Sequence, residues 1–337
     1  MAPLFQIAIV SLFLFISFSF RLSETTDCGG NSIASTITVN QCGCEGGFKS
    51  IQQAIDSIKS NNDQWVKIHI DAGTYTEEIE IPSEKPCLIL EGEGSENTII
   101  QYNDHQTEKK NWRPTFHSNP PNVIVLGITF KNTFNLGVPS HNFTQALAAG
   151  IFGDKSVFYK CSFVGFQDTL LDSNGRHYFK DCFIQGEVDF IFGSGQSYYE
   201  DCIINVTGRN NSSLKGYITA QSRSSENDPS GFIFKGGSII GNGDAYLGRA
   251  YGPYSRVIFY GTYFSSLVAP EGWYPWDYKG HESNFTYAEV ECKGPGNDRR
   301  QRVPWMKNLT TSQLEQFSLS SFINKDNWLS KIPIKLS

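Results

Sequence analysis

The sequence is poor in charge, and above all in positive charge. Asp, Glu, Lys and Arg make up 18% of its 337 residues, whereas average globular proteins have roughly 25%. The 28 Lys and Arg residues are outnumbered by 34 Asp and Glu, so the net charge is -6. A chain with net negative charge has no general attraction for phosphate groups, so nucleic acid is not an expected partner.

Residue patterns that bind zinc or activate a serine are also missing. The six histidines never occur with His-x-x-x-His spacing, and Cys42 and Cys44 lack a second cysteine pair to complete a four-ligand site. There is no Gly-x-Ser-x-Gly motif, which a serine esterase of the α/β-hydrolase type needs around its nucleophile. We therefore expect neither a metal nor an organic cofactor, and no serine nucleophile of that type.

Long hydrophobic runs are limited to one, at residues 4–20. A polar stretch with Arg21 and Ser23 follows it, which is typical of a secretory signal peptide. We predict a signal peptide at residues 1–23, so that the mature protein is secreted, extracellular and free of the membrane. The alternative is an uncleaved anchor, because no Lys or Arg precedes the run and its length is near the minimum for a membrane span.

Secretion affects how the eight cysteines are interpreted. Compartments outside the cytosol are oxidising, which favours disulfides over metal ligation. Asn-x-Ser/Thr sites fit the glycosylated surface of a secreted protein, and they are Asn142, Asn205, Asn210, Asn211, Asn284 and Asn308.

Glycine and aromatic residues are abundant, and they recur periodically. The chain contains 31 Gly, 25 Phe and 15 Tyr, as expected for many turns that join aromatic-rich strands. Three segments repeat one sequence motif, with cysteines 21 and then 20 residues apart, and three further segments are looser copies of it. In chain order the six segments are 123–130, 158–163, 178–184, 198–204, 232–240 and 257–264.

A repeat of 20 to 25 residues with short strands and no helix is typical of a parallel β-helix. Leucine-rich repeats need regularly spaced Leu and Asn, and propeller blades need about 40 residues, so neither fits. Although the length would favour about two domains, we predict one all-β domain at residues 37–337. Its fold is a right-handed single-stranded parallel β-helix, preceded by a short segment at residues 24–36.

Local patterns predict helices near both ends of this solenoid. Apolar residues recur at helical spacing from Phe48 to Ile58, which predicts an amphipathic helix that caps the N-terminal end. Residues 311–317 predict a short helix, capped by Thr311 or Ser312, that covers the other open end. Early β-rich runs lie at 66–70, 78–81, 87–90 and 98–100.

Two aspartates occupy the same place in consecutive repeats. Asp168 lies seven residues after Cys161, and Asp189 lies seven residues after Cys182. Stacking of the repeats would bring their backbones to about 4.8 Å from each other on one face. Two carboxylates this close resist double ionisation, so one should donate a proton while the other stays anionic. Aromatic and aliphatic neighbours should exclude water, unlike the surroundings of stacked aspartates in solvated turns.

The residues around the aspartates resemble the pectinesterase (pectin methylesterase) family of plant type, and the similarity covers residues 37–330. The matching blocks are Gly73-Thr-Tyr-Thr-Glu77, Gln145-Ala-Leu-Ala148, Gly165 to Leu170, Asp189 to Gly193, Ile218-Thr-Ala-Gln-Ser-Arg223, Leu247-Gly-Arg249 with Tyr254-Ser-Arg256, and Gly272-Trp-Tyr-Pro-Trp276. The resemblance implies a right-handed parallel β-helix and hydrolysis of the C6 methyl esters of homogalacturonan. The inhibitor-like pro-region of many plant relatives does not fit into this chain.

The resemblance also implies catalytic roles. Asp189 is expected to be the nucleophile that forms an acyl-enzyme, and Asp168 the general acid and then the general base. Gln145 and Gln167 are expected to stabilise the oxyanion of the tetrahedral intermediate. Arg249 is expected to keep the nucleophile ionised and oriented.

Three aromatic residues, Trp273, Tyr251 and Phe192, are expected to line the sugar-binding groove, since flat rings match the C–H faces of a pyranose. Tyr251 stands where the family usually has Trp. Glu187 adds a carboxylate two residues before the nucleophile and is expected to raise its pKa. Further departures from the family pattern are Ala149, Gly150 and Leu171.

The cysteines of the repeat have two possible disulfide pairings. Stacking would place Cys182 one rung from both Cys161 and Cys202, within the roughly 4.4–6.8 Å between Cα atoms that a disulfide allows. Both pairings stay open at this point. Cys42 and Cys44 are expected to form bonds peculiar to this chain.

The expected partner is methyl-esterified pectin in the cell wall, bound by a monomer, and a protein inhibitor of pectinesterases is a second candidate partner by resemblance. One alternative is a polygalacturonase or pectate lyase on the same fold; a lyase would need Ca²⁺. Another is a catalytically weak relative that binds pectin or a protein partner in the wall, suggested by the departures at Tyr251, Ala149, Gly150 and Glu187. Retention of both aspartates favours the esterase.

Overall fold

Three parallel β-sheets run along the molecule in the computed structural model, which describes residues 28–107, 113–137, 143–208 and 215–336. In each coil the chain passes from sheet 1 to sheet 2 to sheet 3 and returns to sheet 1 one rung further on. Each strand pairs in parallel with strands of the same sheet in neighbouring coils. The predicted parallel β-helix is confirmed.

The strands divide among the sheets as follows. Sheet 1 contains β1 (Ile33–Val39), β2 (Trp65–Ile70), β5 (Leu88–Gly92), β8 (Val123–Leu126), β11 (Ser156–Tyr159), β14 (Arg176–Lys180), β17 (Gln196–Glu200), β20 (Gly231–Lys235), β23 (Arg256–Tyr260) and β26 (Thr286–Val290). Sheet 2 contains β3 (Gly73–Thr76), β6 (Thr98–Tyr102), β9 (Thr129–Asn132), β12 (Ser162–Val164), β15 (Phe183–Gly186), β18 (Ile203–Val206), β21 (Ser238–Gly241) and β24 (Tyr263–Phe264). Sheet 3 contains β4 (Ile79–Ile81), β7 (Phe116–Ser118), β10 (Ala149–Ile151), β13 (Leu170–Asp172), β16 (Val188–Gly193), β19 (Gly216–Gln221), β22 (Ala245–Ala250) and β25 (Trp273–Tyr274).

One residue in the left-handed conformation turns the chain from sheet 1 to sheet 2 in successive coils. Its φ lies between 52 and 67° at Gly127, Lys160, Asp181, Asp201, Gly236 and Gly261. In three of these coils the next residue is Cys161, Cys182 or Cys202. The repeated sequence motif therefore forms a strand of sheet 1, this corner, and the start of a strand of sheet 2.

Stacked side chains fill the solenoid, and along sheet 1 they form an aromatic ladder. The ring centroids lie 5.1 Å apart for Phe158 and Phe179, 4.5 Å for Phe179 and Tyr199, and 4.5 Å for Tyr199 and Phe234. All four rings are buried. Alternate residues of a strand point to the same face, so equivalent inward positions of successive coils meet in the core.

Helix α1 (Ile51–Ser57) confirms the predicted N-terminal helix, and its buried residues join the main core. Ser50 caps it, so Phe48 lies before the helix. Glu77 accepts hydrogen bonds from the first N–H groups, a favourable place for a negative charge. At the other end the buried Lys85 Nζ donates to the carbonyls of Ile55, Asp56 and Ile58 at 2.9, 2.8 and 2.6 Å.

The C-terminal segment packs on the outer face of sheet 1, so the prediction that it covers the open end of the solenoid is wrong. It contains α2 (Thr311–Glu315) and α3 (Leu319–Phe322). The cap of α2 is Thr310, so the predicted caps Thr311 and Ser312 are wrong and lie inside the helix. Apolar residues of the segment and of sheet 1 form a second buried cluster, to which the segment contributes Phe322, Ile323, Trp328 and Ile332. The last coil is closed instead by Trp305, whose ring packs against Phe285 and Tyr287.

The cysteine prediction is corrected in part. Disulfides join Cys28 to Cys87 and Cys42 to Cys44. The repeat cysteines Cys161, Cys182 and Cys202 are free and buried, as is Cys292, so neither pairing left open by the sequence is present. Each repeat thiol donates instead to a backbone carbonyl of the previous coil, at 3.4, 3.3 and 3.6 Å respectively.

Several predictions fall outside the described residues. The signal peptide at residues 1–23 does so entirely, as do the glycosylation sites Asn142, Asn210 and Asn211. Within the described ranges, no helix combines the length and the hydropathy needed to cross a membrane.

Candidate active site

Two rows of side chains on the outer face of sheet 3 define the candidate site. Residues of one row lie on neighbouring rungs, about 4.8 Å apart. The first row is Gln145, Gln167, Val188, Tyr217 and Tyr246. The second row is Gly150, Leu171, Phe192, Ala220, Arg249 and Tyr274.

Asp168 and Asp189 directly follow members of the first row, and each has a left-handed backbone conformation. Their φ values are 59 and 49°. Pairing between β16 and β19 shifts register between Val188 and Ile191, so Asp189 lies in an irregularity of the ladder. Such an irregularity changes the direction in which a side chain points. The Asp168 N–H donates to the Val188 carbonyl at 3.0 Å, which joins the two aspartate segments.

Asp168 has the surroundings of a proton donor. It is 3% exposed. Burial, and then the charge of Asp189, raises the pKa of the Asp168 carboxyl well above its usual value; a hydrogen bond with Gln145 and the charge of Arg249 act in the opposite direction. A carboxyl group with a strongly raised pKa keeps its proton at a pH where an ordinary aspartate has lost it.

Asp189 is paired with Arg249 through two hydrogen bonds. The arginine Nε donates to Oδ1 at 2.7 Å, and Nη2 donates to Oδ2. Burial raises the pKa of Asp189, while the hydrogen bonds and charge of Arg249 lower it. Asp189 therefore ionises before Asp168, whose pKa is raised further. The predicted effect of Glu187 on this pKa stays a prediction.

The guanidinium of Arg249 lies between two aromatic rings. Its Cζ is 3.6 Å from the ring centroid of Trp276 and 4.5 Å from that of Tyr217. Tyr251 in turn stacks on Trp276, with centroids 5.3 Å apart. Arginine stacks well on aromatic faces, so the two rings fix the plane of the group that holds Asp189.

Gln145 and Gln167 form a parallel bridge at the beginning of the first row, beside Asp168. Both are partly exposed. Their amide groups provide N–H donors next to the aspartate pair. The structure thus brings all five predicted catalytic residues together: Asp189 and Arg249 lie on strands of sheet 3, and Gln145, Gln167 and Asp168 lie just before its strands β10 and β13.

The three predicted groove residues have different positions. Tyr251 is 45% exposed, as a groove residue should be. Phe192 lies in the second row, in a small apolar cluster with Leu147 and Ala220. The prediction for Trp273 is wrong, because this ring is 1% exposed and stacks inside the core at 4.4 Å from Tyr287.

The sequence interpretation missed Trp276 and Tyr217, the two rings that hold Arg249. Trp276 belongs to the same block as Trp273, and the alternation of strand β25 points Trp273 inward and Tyr274 outward. That alternation could have identified Trp276, and not Trp273, as the tryptophan at the site. No local sequence pattern indicates the contact of Tyr217 with Arg249, which is 32 residues away in the sequence.

The described residues contain one group that could hold a metal ion, His69, Asp71 and Glu93. These residues belong to the β2 and β5 region of sheet 1 and not to the aspartate pair. At the pair itself, a carboxyl group whose pKa is raised well above its usual value, a second carboxyl group bound to Arg249, and amide donors are adjacent. This combination suits acyl transfer, with one group as nucleophile and another as proton donor.

Sequence comparisons match the chain to one family model and to curated relatives. A family model described as Pectinesterase matches residues 36–326. In Arabidopsis thaliana, "Probable pectinesterase 55" is 44% identical over 305 residues, which cover 89% of this chain and 92% of that protein. "Probable pectinesterase 29" of the same plant is 45% identical over 303 residues, 88% of this chain and 90% of that protein.

Solved structures show the same fold. "Pectin methylesterase from Carrot" matches with a TM-score of 0.81 and 29% identity, covering 89% of this chain and 96% of the other. A pectin methylesterase from Aspergillus niger matches with a TM-score of 0.74 and 24% identity, covering 90% and 98%. The predicted right-handed parallel β-helix is confirmed by these matches.

Proposed function

Because the chain belongs to the pectinesterase family, we propose that it is a pectin methylesterase that hydrolyses the C6 methyl esters of homogalacturonan. The observation that carries the proposal is the buried pair Asp168 and Asp189, in which Arg249 holds one carboxyl and not the other. The products are free carboxylates and methanol.

In the first half of the reaction the Asp189 carboxylate attacks the ester carbonyl carbon, and the carbonyl oxygen becomes an oxyanion. The amides of Gln145 and Gln167 donate hydrogen bonds to that oxygen. The bond between carbon and the methoxy oxygen then breaks, and Asp168 gives its proton to the leaving oxygen, which departs as methanol. The sugar is left as an acyl group on Asp189.

In the second half, Asp168 is ionised and accepts a proton from a water molecule. The hydroxide so generated attacks the acyl carbon, and the bond to Asp189 breaks. The sugar leaves as a carboxylic acid that then gives its proton to the solvent, Asp189 returns as a carboxylate bound to Arg249, and Asp168 is protonated again. A strongly raised pKa suits Asp168 to both proton transfers.

The predicted signal peptide supports action outside the cell, on cell-wall pectin. The disulfides Cys28–Cys87 and Cys42–Cys44 fit an oxidising compartment. In the groove, exposed Tyr251 and its neighbour Trp276 offer ring faces to sugars beside the reaction centre.

The first test is release of methanol from highly methylated pectin by the purified protein between about pH 4 and 9, with Asp189→Ala as the comparison. We expect the variant to lose activity roughly 10⁴-fold or more, as for removal of other covalent nucleophiles. Activity should rise with pH as Asp189 ionises and fall as Asp168 loses its proton.

The assay also separates the alternatives. An Asp189→Ala protein as active as the parent would contradict the mechanism. A folded parent that binds pectin at every pH without releasing methanol would instead support the weak pectin-binding alternative.

A further inference from the structure

A groove lies between the C-terminal segment and the outer face of sheet 1, whereas the aspartate pair lies at sheet 3. Its volume is about 830 Å³, within the roughly 300–1,000 Å³ that is usual for small-molecule sites. Gln196, Pro229 and Arg256 form the wall beside sheet 1, and Ser312, Phe317 and Lys325 belong to the wall on the C-terminal segment. These two walls define the C-terminal groove.

The side chain of Arg256 is held in this groove by its surroundings. A Cβ on Gly231, at the start of β20, would lie 2.7 Å from Arg256 Cδ, so a larger residue there would collide with the arginine. Its Nη1 donates to the carbonyls of Pro229 and Ser230 at 3.2 and 3.0 Å. From the other wall, the ring centroid of Phe317 lies 5.4 Å from Cζ. The guanidinium is therefore fixed between the two walls.

The positive charge of Arg256 has no counter-ion. Among the described residues, no carboxylate forms an ion pair with it, and its buried Nε has no hydrogen-bond acceptor. Burial, and then the charge of Arg223, lower the pKa of Arg256 to about 10, while Asp228 acts in the opposite direction. A half-buried cation without a counter-ion has lost hydration that nothing replaces, so an anion beside it is bound favourably.

The other wall adds a second cation and hydrogen-bonding groups. Lys325 is exposed, and the part of the chain that the structure describes gives it no acidic partner. Glu315 is the one acid among the described lining residues, so two cations face one carboxylate in a protein whose net charge is -6. Exposed Ser312 and Gln316 provide a hydroxyl and an amide beside these charges. Cations, hydrogen-bonding groups and the Phe317 ring together match a sugar that carries a carboxylate.

We propose that the C-terminal groove binds a galacturonate unit of de-esterified pectin through its free carboxylate. Arg256 and Lys325 bind the carboxylate, the polar groups of the C-terminal segment bind the sugar hydroxyls, and Phe317 packs against a C–H face. The choice of galacturonate rests on the proposed function, which supplies it as the product. Binding at this second site would keep the protein attached to pectin that has already lost its esters.

The test is calorimetric titration with trigalacturonate and with the carboxyl-reduced trimer, which keeps the linkage and the hydroxyls but has no charge. The variant is Lys325→Glu, and the matched control is Lys331→Glu, which changes the net charge equally at another exposed lysine of the same segment. We expect Lys325→Glu to raise the Kd for trigalacturonate at the C-terminal groove about tenfold. Lys331→Glu should stay within about twofold of the parent, because salt screens more distant charges.

Arg256→Lys is the second variant, since it keeps a cation and a donor but loses the planar fork that binds a carboxylate through two hydrogen bonds. Its Kd for trigalacturonate should rise about three- to tenfold. The parent should bind the reduced trimer more weakly than trigalacturonate. Because the sheet 3 groove is a second place for the same trimer, the titrations are analysed for two sites, and only one of them should change in the variants.

Equal binding of trigalacturonate by Lys325→Glu and Lys331→Glu would overturn the inference, as would equal binding of the charged and reduced trimers by the parent. Trigalacturonate that binds no better than acetate would show that the groove accepts any small carboxylate, and would overturn the assignment to a sugar acid. Titration needs no turnover, so a parent that releases no methanol would refute the proposed function and leave this test in place.

Discussion

The two aspartates of the site have equivalent backbone positions, but their side-chain contacts give them different pKa values. Asp168 and Asp189 follow equivalent residues of neighbouring coils, share the left-handed conformation, and are both buried. Burial alone would raise the pKa of both. Arg249 counteracts this rise mainly at Asp189, to which it donates hydrogen bonds. At Asp168 the hydrogen bond that lowers the pKa comes from the uncharged amide of Gln145. In the proposed reaction, these partners distinguish the acid, Asp168, from the nucleophile, Asp189.

This difference predicts that Asp168→Asn stabilises the folded protein at neutral pH. The pKa of Asp168 is raised on folding, so the carboxyl favours the folded state at low pH, and this contribution is lost as pH rises through the folded-state pKa. Asn has the same shape and never ionises. Thermal unfolding should therefore show a higher midpoint for Asp168→Asn at pH 7 to 8, and a difference that shrinks toward about pH 4, near the unfolded-state pKa.

The matched control for this effect is Asp154→Asn. Burial acts to raise the pKa of Asp154, but the hydrogen bonds and charge of Arg176 outweigh it and lower this pKa. Its substitution should therefore destabilise the protein at neutral pH. A midpoint of Asp168→Asn that is below the parent at pH 8 would contradict the assignment of Asp168 as the buried proton donor.

The sequence predicted the positions of the candidate site residues correctly where the repeat or a family motif contains them. The repeat places Asp168 and Asp189 one rung apart, and motif resemblance added Gln145, Gln167 and Arg249. It failed at Trp273, because the motif gives two tryptophans and only the alternation of a strand two residues long distinguishes them. The contact of Tyr217 with Arg249 depends on the stacking of β19 on β22, which no local pattern encodes.

At the scale of elements, corners and caps determine where strands and helices end. The repeated motif was visible in the sequence. Left-handed residues at the corner between sheets 1 and 2 account for it. The state of the corner cysteines was not, because stacked thiols can form a disulfide or donate to carbonyls at similar backbone spacing. The bounds of α1 depend on Ser50, Glu77 and Lys85, of which two come from the following coil.

Lys85→Met should destabilise the protein through α1. Lys85 Nζ donates to three carbonyl groups at the C-terminal end of the helix. Met removes this donor from all three and leaves the Ile55 carbonyl only the N–H of Ile58. We expect the free energy of unfolding in urea to fall by about 2–4 kcal/mol. Lys59→Met is the control: this exposed lysine pairs with Asp63, which is also exposed, so its loss should change stability by less than about 0.5 kcal/mol. Equal effects of both substitutions would contradict the capping role.

At the scale of the whole molecule, the C-terminal segment changes how the coils depend on one another. In a solenoid each coil contacts its neighbours, so distant coils are coupled weakly. Here the segment crosses many rungs of sheet 1: Gln196 of β17 donates to the Phe322 carbonyl, and Arg176 of β14 pairs with Asp326. Farther along, Ile334 lies beside Leu126 and Tyr159 of β8 and β11. The segment therefore ties together coils that do not touch.

We expect a chain that ends at residue 310 to unfold at lower guanidinium concentration and less cooperatively. Removal of the segment exposes apolar residues of sheet 1 that the second cluster buries, such as Ile124 and Ile233, and removes the ties between coils. Circular dichroism and tryptophan fluorescence should give one coincident transition for the parent and separated transitions for the shortened chain. The point variant Trp328→Ala, which truncates a ring with 3% exposure, should lower stability by about 3–5 kcal/mol and leave the transitions coincident. A shortened chain that unfolds at the same midpoint and with the same slope as the parent would show that neighbouring coils alone hold the solenoid together.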